Sequence, residues 1–146
     1  MPGPTQETFR IRLVNRFGEI ERFTEAAHAY LAGAGVSDAA LFNVDFCFEE
    51  VFTNIVKYGF SDERDHWIDV TADVDHDRVV LHIEDDGTPF DPKSGAGPAP
   101  DITCPIEERP IGGLGLHLVR AIAAGLEYEN SGGRNRLTVC LRRSEE

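Results

Sequence analysis

The chain has 146 residues, 41% of them hydrophobic and 27% charged, a size and composition that suit one globular domain with a single sizeable core. The net charge of −12 argues against a nucleic-acid binder, which neutralises phosphates with clustered Lys and Arg. No apolar run approaches the roughly 20 residues that cross a bilayer, and Met1-Pro2-Gly3-Pro4 lacks the basic-then-apolar layout of a signal peptide, so no membrane association and a cytoplasmic location are expected.

Along the chain, Phe9, Ile11 and Leu13 alternate with polar residues, as a half-buried strand does. Ile20, Phe23, Ala27, Tyr30 and Leu31 then recur at helical spacing and end near Gly33-Ala34-Gly35. Ser37 or Asp38 can cap a second helix that carries Leu41, Val44, Phe48, Val51, Phe52 and Ile55 and stops at Tyr58-Gly59. Strand-like runs follow near Trp67–Val74 and Arg78–Glu84, joined by a turn at Asp75-His76-Asp77. From Pro89 to Pro110 proline, glycine and alanine dominate and periodicity vanishes, which inside a domain reads as a lid or as disorder. Gly112-Gly113-Leu114-Gly115 opens a third helix with apolar Leu116, Leu118, Val119 and Ile122. Two more strands, near Glu127–Asn130 and Arg134–Arg142, join at Gly132-Gly133. Strand, two helices, two strands, lid, helix and two strands suggest an α+β sandwich with helices on one face of a mixed sheet.

Some residues have plain structural readings. The three cysteines are odd in number and scattered, which argues against disulfides or a zinc knuckle, and Cys47 and Cys140 read as small buried hydrophobes. Eleven Asp or Glu between Asp62 and Asp91 stand against Arg64 and Arg78, mostly a solvated acidic face; an acidic protein that binds polyphosphate manages repulsion with a divalent cation. His28, His66, His76, His82 and His117 show no ligand spacing, and Trp67 reads as a packing residue.

Three clusters carry chemistry. Glu50 and Asn54, four apart on the second helix, share a face where a carboxylate and a carboxamide can activate a hydroxyl and hold a metal ion. Asp85-Asp86-Gly87-Thr88-Pro89-Phe90 follows a strand; a carboxylate there can accept a hydrogen bond from an exocyclic amine, and the glycine lets a planar ring approach the backbone, although an acidic turn uses the same residues. Gly113-Leu114-Gly115 before an amphipathic helix exposes free N–H groups to phosphate, without the Lys-Ser/Thr ending of a P-loop.

E-x-x-x-N, D-x-G and G-x-G-L in this order resemble the GHKL ATPase superfamily of gyrase, Hsp90, histidine kinases and MutL. Within it, EEVFTNIVKYGF, DDGTPFDP and RPIGGLGLHLVR resemble the small bacterial anti-sigma-factor serine kinases of the RsbW and SpoIIAB group, over about Phe9 to Arg142. The resemblance implies one Bergerat-type domain over residues 1–146: a two-layer sandwich with a mixed, mostly antiparallel sheet and an ATP lid at about 91–112. It implies ATP and Mg2+ as cofactors, with Glu50 as general base for a protein serine, Asn54 as magnesium ligand, and Asp85 and Gly87 at the adenine. It also implies that Gly113 and Gly115 lie under the phosphates, that Gly112, Leu114, Leu116 and Phe90 flank the nucleotide, that Thr138 supports the adenine, and that Arg109 reaches the terminal phosphate. Lys57 stands where many of these kinases carry His, and Ile111 replaces the first glycine of a longer run.

The implied function is an anti-sigma factor that phosphorylates a STAS-type anti-anti-sigma protein, as a homodimer with its surface over Phe9 to Leu31. Two other readings are a non-catalytic ATP-binding module that sequesters a partner and the catalytic domain of a histidine kinase. The last ranks third, because no upstream dimerisation helix with a phosphorylatable histidine is present. Gyrase- or MutL-type ATPases rank lower still, because no transducer domain follows.

Overall fold

The computed structural model describes residues 8–89 and 113–144 of the chain. They form β1 (Phe9–Val14), α1 (Glu19–Gly33), α2 (Asp38–Tyr58), β2 (Trp67–Val74), β3 (Arg78–Asp85), α3 (Gly113–Ile122), β4 (Gly125–Ser131) and β5 (Arg134–Arg142). The strands make one five-stranded sheet in the order β1-β2-β3-β5-β4, and the helices pack on one face of it. Alternation along the strands decides which face that is. Ile68, Val70 and Ala72 of β2, Val79, Leu81 and Ile83 of β3, and Leu137, Val139 and Leu141 of β5 are all buried. Their neighbours Asp69, Thr71, Asp73, His82, Glu84 and Thr138 are only half-buried on the opposite face.

Where a mixed, mostly antiparallel sheet is expected, all four strand pairs among the described residues are antiparallel. The chain leaves β3, passes through α3 and lays β4 at the far edge, and the tight β4–β5 hairpin then inserts β5 between β3 and β4. β4 therefore runs parallel to β3 without pairing with it. The hairpin is possible because Gly132 and Gly133 take φ of 60° and 78°, two successive left-handed residues as a type I′ turn requires.

α2 is the central helix. Ser37 caps it, its Oγ accepting from the Ala40 amide at 3.2 Å, and Asp38 places a negative charge in the first turn. Phe48 lies at its centre, fully buried, with its ring stacked on Phe23 of α1 at 3.6 Å between centroids and on Phe52 at 5.2 Å. Replacing Ser37 by alanine removes the cap acceptor without touching this core. It is expected to cost about 1 kcal/mol, read as a lower urea midpoint at unchanged slope.

α3 presents Val119 to the core, whereas Leu118 and Ile122, one turn apart on a different face, are 43% and 36% exposed. Trp67 is likewise half exposed, with the Arg12 guanidinium 5.5 Å from its ring centre, so it is not the packing residue the sequence suggests. Cys47 is buried as expected, and burial followed by the Glu50 charge pushes its thiol up to about 12. Cys140 is only half-buried, with its sulfur 3.8 Å from Arg78 Nη1. No helix among the described residues is long and apolar enough to cross a membrane.

Candidate functional site

A cleft opens where the second half of α2 meets the ends of β3 and the β4–β5 hairpin. Val51, Asn54, Ile55 and Tyr58 line it from α2, Asp85 and Thr88 from the turn after β3, and Tyr128, Asn135 and Leu137 from the hairpin. Its walls are apolar, yet it contains all three of the buried polar side chains among the described residues: Asn54, Asp85 and Asn135. Buried polar groups in an apolar cleft mark the default ligand site.

Asn54 is placed by helical geometry. Its side-chain nitrogen donates to the Glu50 carbonyl one turn back at 2.7 Å, which leaves the amide oxygen as the acceptor that Asn54 can turn to a ligand. Glu50 is half-buried on the same side of α2. Burial, and then the charge of Glu49, raise its carboxyl above the ordinary glutamate range, while Lys57 pulls it down. Lys57 is exposed in the last turn of α2, seven residues beyond Glu50, and does not line the cleft.

Asp85 ends β3 on the core face and is 4% exposed. Burial pushes its carboxyl up, and hydrogen bonds from Asn135 and the Gly87 amide oppose the rise. The Gly87 amide reaches Asp85 Oδ1 at 2.8 Å. Gly87 has a second duty that the sequence does not show. A Cβ built there would lie 2.6 Å from the Gly59 carbonyl oxygen and 3.0 Å from Asp85 Oδ1. Thr88 in turn donates its amide to the same Gly59 oxygen at 2.7 Å, so the turn is bolted to the end of α2. Gly87→Ala is therefore expected to destabilise the fold by about 1–3 kcal/mol, seen as a lower Tm before any ligand is added.

Thr138 does not join the cleft. It is on the outer face of the sheet, where its hydroxyl meets His82 Nδ1 at 2.9 Å. The residues that β5 presents to the cleft are Asn135 and Leu137, separated from Thr138 by the strand's period of two. Asn135, which the sequence reading missed, is 5% exposed and bonds Asp85 directly through Nδ2 at 3.0 Å. The signal was available: a polar residue at the register position of buried Leu137, Val139 and Leu141 needs a partner inside.

Gly113, Leu114, Gly115 and Leu116 form the first turn of α3, which packs against α2. Phe90, Arg109, Gly112 and the lid at 91–112 lie outside the described residues, as does Ile111. No cluster of three or more His, Cys, Asp or Glu able to hold a metal occurs among the described residues. A magnesium ion would therefore depend on the Asn54 amide together with oxygens brought by the ligand, a donor set of the kind this hard cation takes with phosphates.

Comparison with known proteins bears on the family and the fold. The model of the histidine kinase-like ATPase domain family matches residues 14–141. The serine/threonine-protein kinase BtrW of Bordetella bronchiseptica is 31% identical over 98 residues, covering 67% of this chain and 68% of that protein. The serine-protein kinase RsbW of Bacillus cereus is 28% identical over 135 residues, 83% of each chain. RsbW of Listeria monocytogenes is 35% identical over 92 residues, which span 61% of this chain and 58% of that protein. Among solved structures, the histidine kinase AdeS of Acinetobacter baumannii superposes with a TM-score of 0.50 at 14% identity, covering 91% of this chain and 68% of that one, a likeness of fold alone.

Proposed function

The chain belongs to the histidine kinase-like ATPase domain family, and on that premise we propose that it is a Mg-ATP-dependent protein serine kinase. The observation that carries the reading is the convergence of Asn54 and Asp85, from elements distant in sequence, on one apolar cleft beside Glu50. The apolar walls from Val51, Ile55 and Leu137 suit a flat base, and Asp85 at their edge suits an exocyclic amine. The relatives named serine kinases support the choice of hydroxyl acceptor.

In this reading Asp85 fixes the base, Asn54 directs its amide oxygen to the metal, and the free N–H groups of the first turn of α3 face phosphate oxygens. Magnesium, when bound, neutralises charge on the phosphates. Glu50 takes the proton of the serine hydroxyl. The serine oxygen forms a bond to the terminal phosphorus as the bridging bond to ADP breaks, so phosphoserine and ADP are the products. Positioning and charge neutralisation supply most of the acceleration. The acceptor is proposed to be a STAS-type antagonist protein and the sequestered partner a sigma factor. The homodimer surface at Phe9 to Leu31, the lid contact of Arg109 and a phosphate contact of Lys57 belong to the same proposal.

Incubating the purified chain with γ-labelled ATP, magnesium and a STAS-domain protein tests it. Label is expected on a serine of the acceptor, and only when magnesium is present. Tight Mg-ATP binding with no transfer to any candidate acceptor would instead establish a binding module.

A further inference from the structure

We propose that Asn135 is the positioning residue that makes the cleft select a 6-amino over a 6-oxo purine, because it holds Asp85 as a pure hydrogen-bond acceptor. The inference rests on the nucleotide reading above and concerns how the base is read.

The orientation of the Asn135 amide is settled by its partners. Its nitrogen lies 3.0 Å from the Gly87 carbonyl oxygen, which can only accept, so the side facing the turn must be the donating NH2 group. On the other side, Oδ1 accepts from the Tyr128 hydroxyl at 2.5 Å and from the Asn130 side-chain nitrogen at 2.8 Å. A flipped amide would set an oxygen against the Gly87 carbonyl and the Asp85 carboxylate together, and would strand both donors. Tyr128 and Asn130 of β4 thus hold Asn135 in one sense across the hairpin.

That sense decides what Asp85 presents. Oδ1 receives two N–H donors, Asn135 at 3.0 Å and the Gly87 amide at 2.8 Å. Neither bond falls on Oδ2, which among the described residues is the oxygen left to read the base. A carboxyl this buried tends to keep its proton, and the two N–H donors are what favour the charged form instead. Ionised, Oδ2 accepts from a 6-amino group. Protonated, it would offer an O–H and match a 6-oxo group. The choice of base therefore depends on a residue one step behind the one that touches it.

The experiment compares affinities for ATP and inosine triphosphate by calorimetry, with circular dichroism to confirm folding. The wild type is expected to prefer ATP. Asn135→Asp puts an acceptor where the donor was, and two carboxyls at that separation must share a proton. The preference for ATP is expected to shrink by about tenfold or more. It should recover no part of the loss when pH is lowered, because lower pH protonates the pair further. Tyr128→Phe keeps the ring and frees one side of the amide, and is expected to narrow the preference about threefold. A folded Asn135→Asp protein with an unchanged ratio overturns the proposal. If that variant does not fold, an unchanged ratio in Tyr128→Phe overturns it. A wild type that binds neither nucleotide overturns the nucleotide reading itself, which is a different failure.

Discussion

Glu50→Gln is expected to slow phosphoryl transfer by about 10²–10⁴-fold while leaving Mg-ATP affinity within about twofold. The side chains have the same shape, so the half-buried position on α2 is kept, and the loss falls on proton acceptance. The Glu50 backbone carbonyl, which receives the Asn54 amide, is unaffected. The pH profile gives a second readout. Burial and the Glu49 charge hold the Glu50 carboxyl above the usual glutamate range. A base must be ionised to work, so the rate falls as pH falls through that raised value. The acidic limb of the wild-type profile is therefore expected to sit above the ordinary glutamate range and to disappear in Glu50→Gln. Single-turnover transfer measured across pH decides it, and a variant as fast as the wild type would remove Glu50 from the chemistry.

Much of this architecture was legible in the residues. The alternation of Phe9, Ile11 and Leu13, the cap at Ser37, the stop at Tyr58-Gly59 and the paired glycines at 132 and 133 all name elements that the structure contains. These signals are local: period, cap and turn are written in neighbouring residues. What stayed hidden is non-local. That every pair is antiparallel depends on β5 entering between β3 and β4, which no stretch of sequence announces. The reason for Gly87 is a carbonyl at Gly59, 28 positions away in sequence.

Thr138 and Asn135 teach the sharper lesson. Matching a motif by residue type selected a threonine, whereas counting parity along β5 places it on the outer face and puts Asn135 inside. Burial parity is a constraint of the fold and overrides a likeness of side chains. The same reasoning explains why the shared helix face of Glu50 and Asn54 was legible in their spacing. Both lie on one helix, where four residues bring side chains to one side whatever the rest of the chain does.

Asn54→Ala is expected to remove the magnesium-dependent part of ATP affinity, on the order of 10²-fold, and to leave the magnesium-free affinity nearly unchanged. Alanine suits a helix interior better than asparagine, so α2 should persist. The side-chain bond that is lost, from Asn54 Nδ2 to the Glu50 carbonyl, duplicates an acceptor that the helix already uses, so its loss costs little stability. Titrating ATP with and without magnesium against both proteins measures the difference directly. Equal magnesium dependence in variant and wild type would exclude Asn54 as the ligand. Paired with Glu50→Gln, the result divides the site by physical role: one variant binds Mg-ATP without transferring phosphate, and the other fails one step earlier because the metal is no longer held. If both variants lost binding alike, the two residues would be acting as one structural unit of α2, and the assignment of separate chemistry to each would fall.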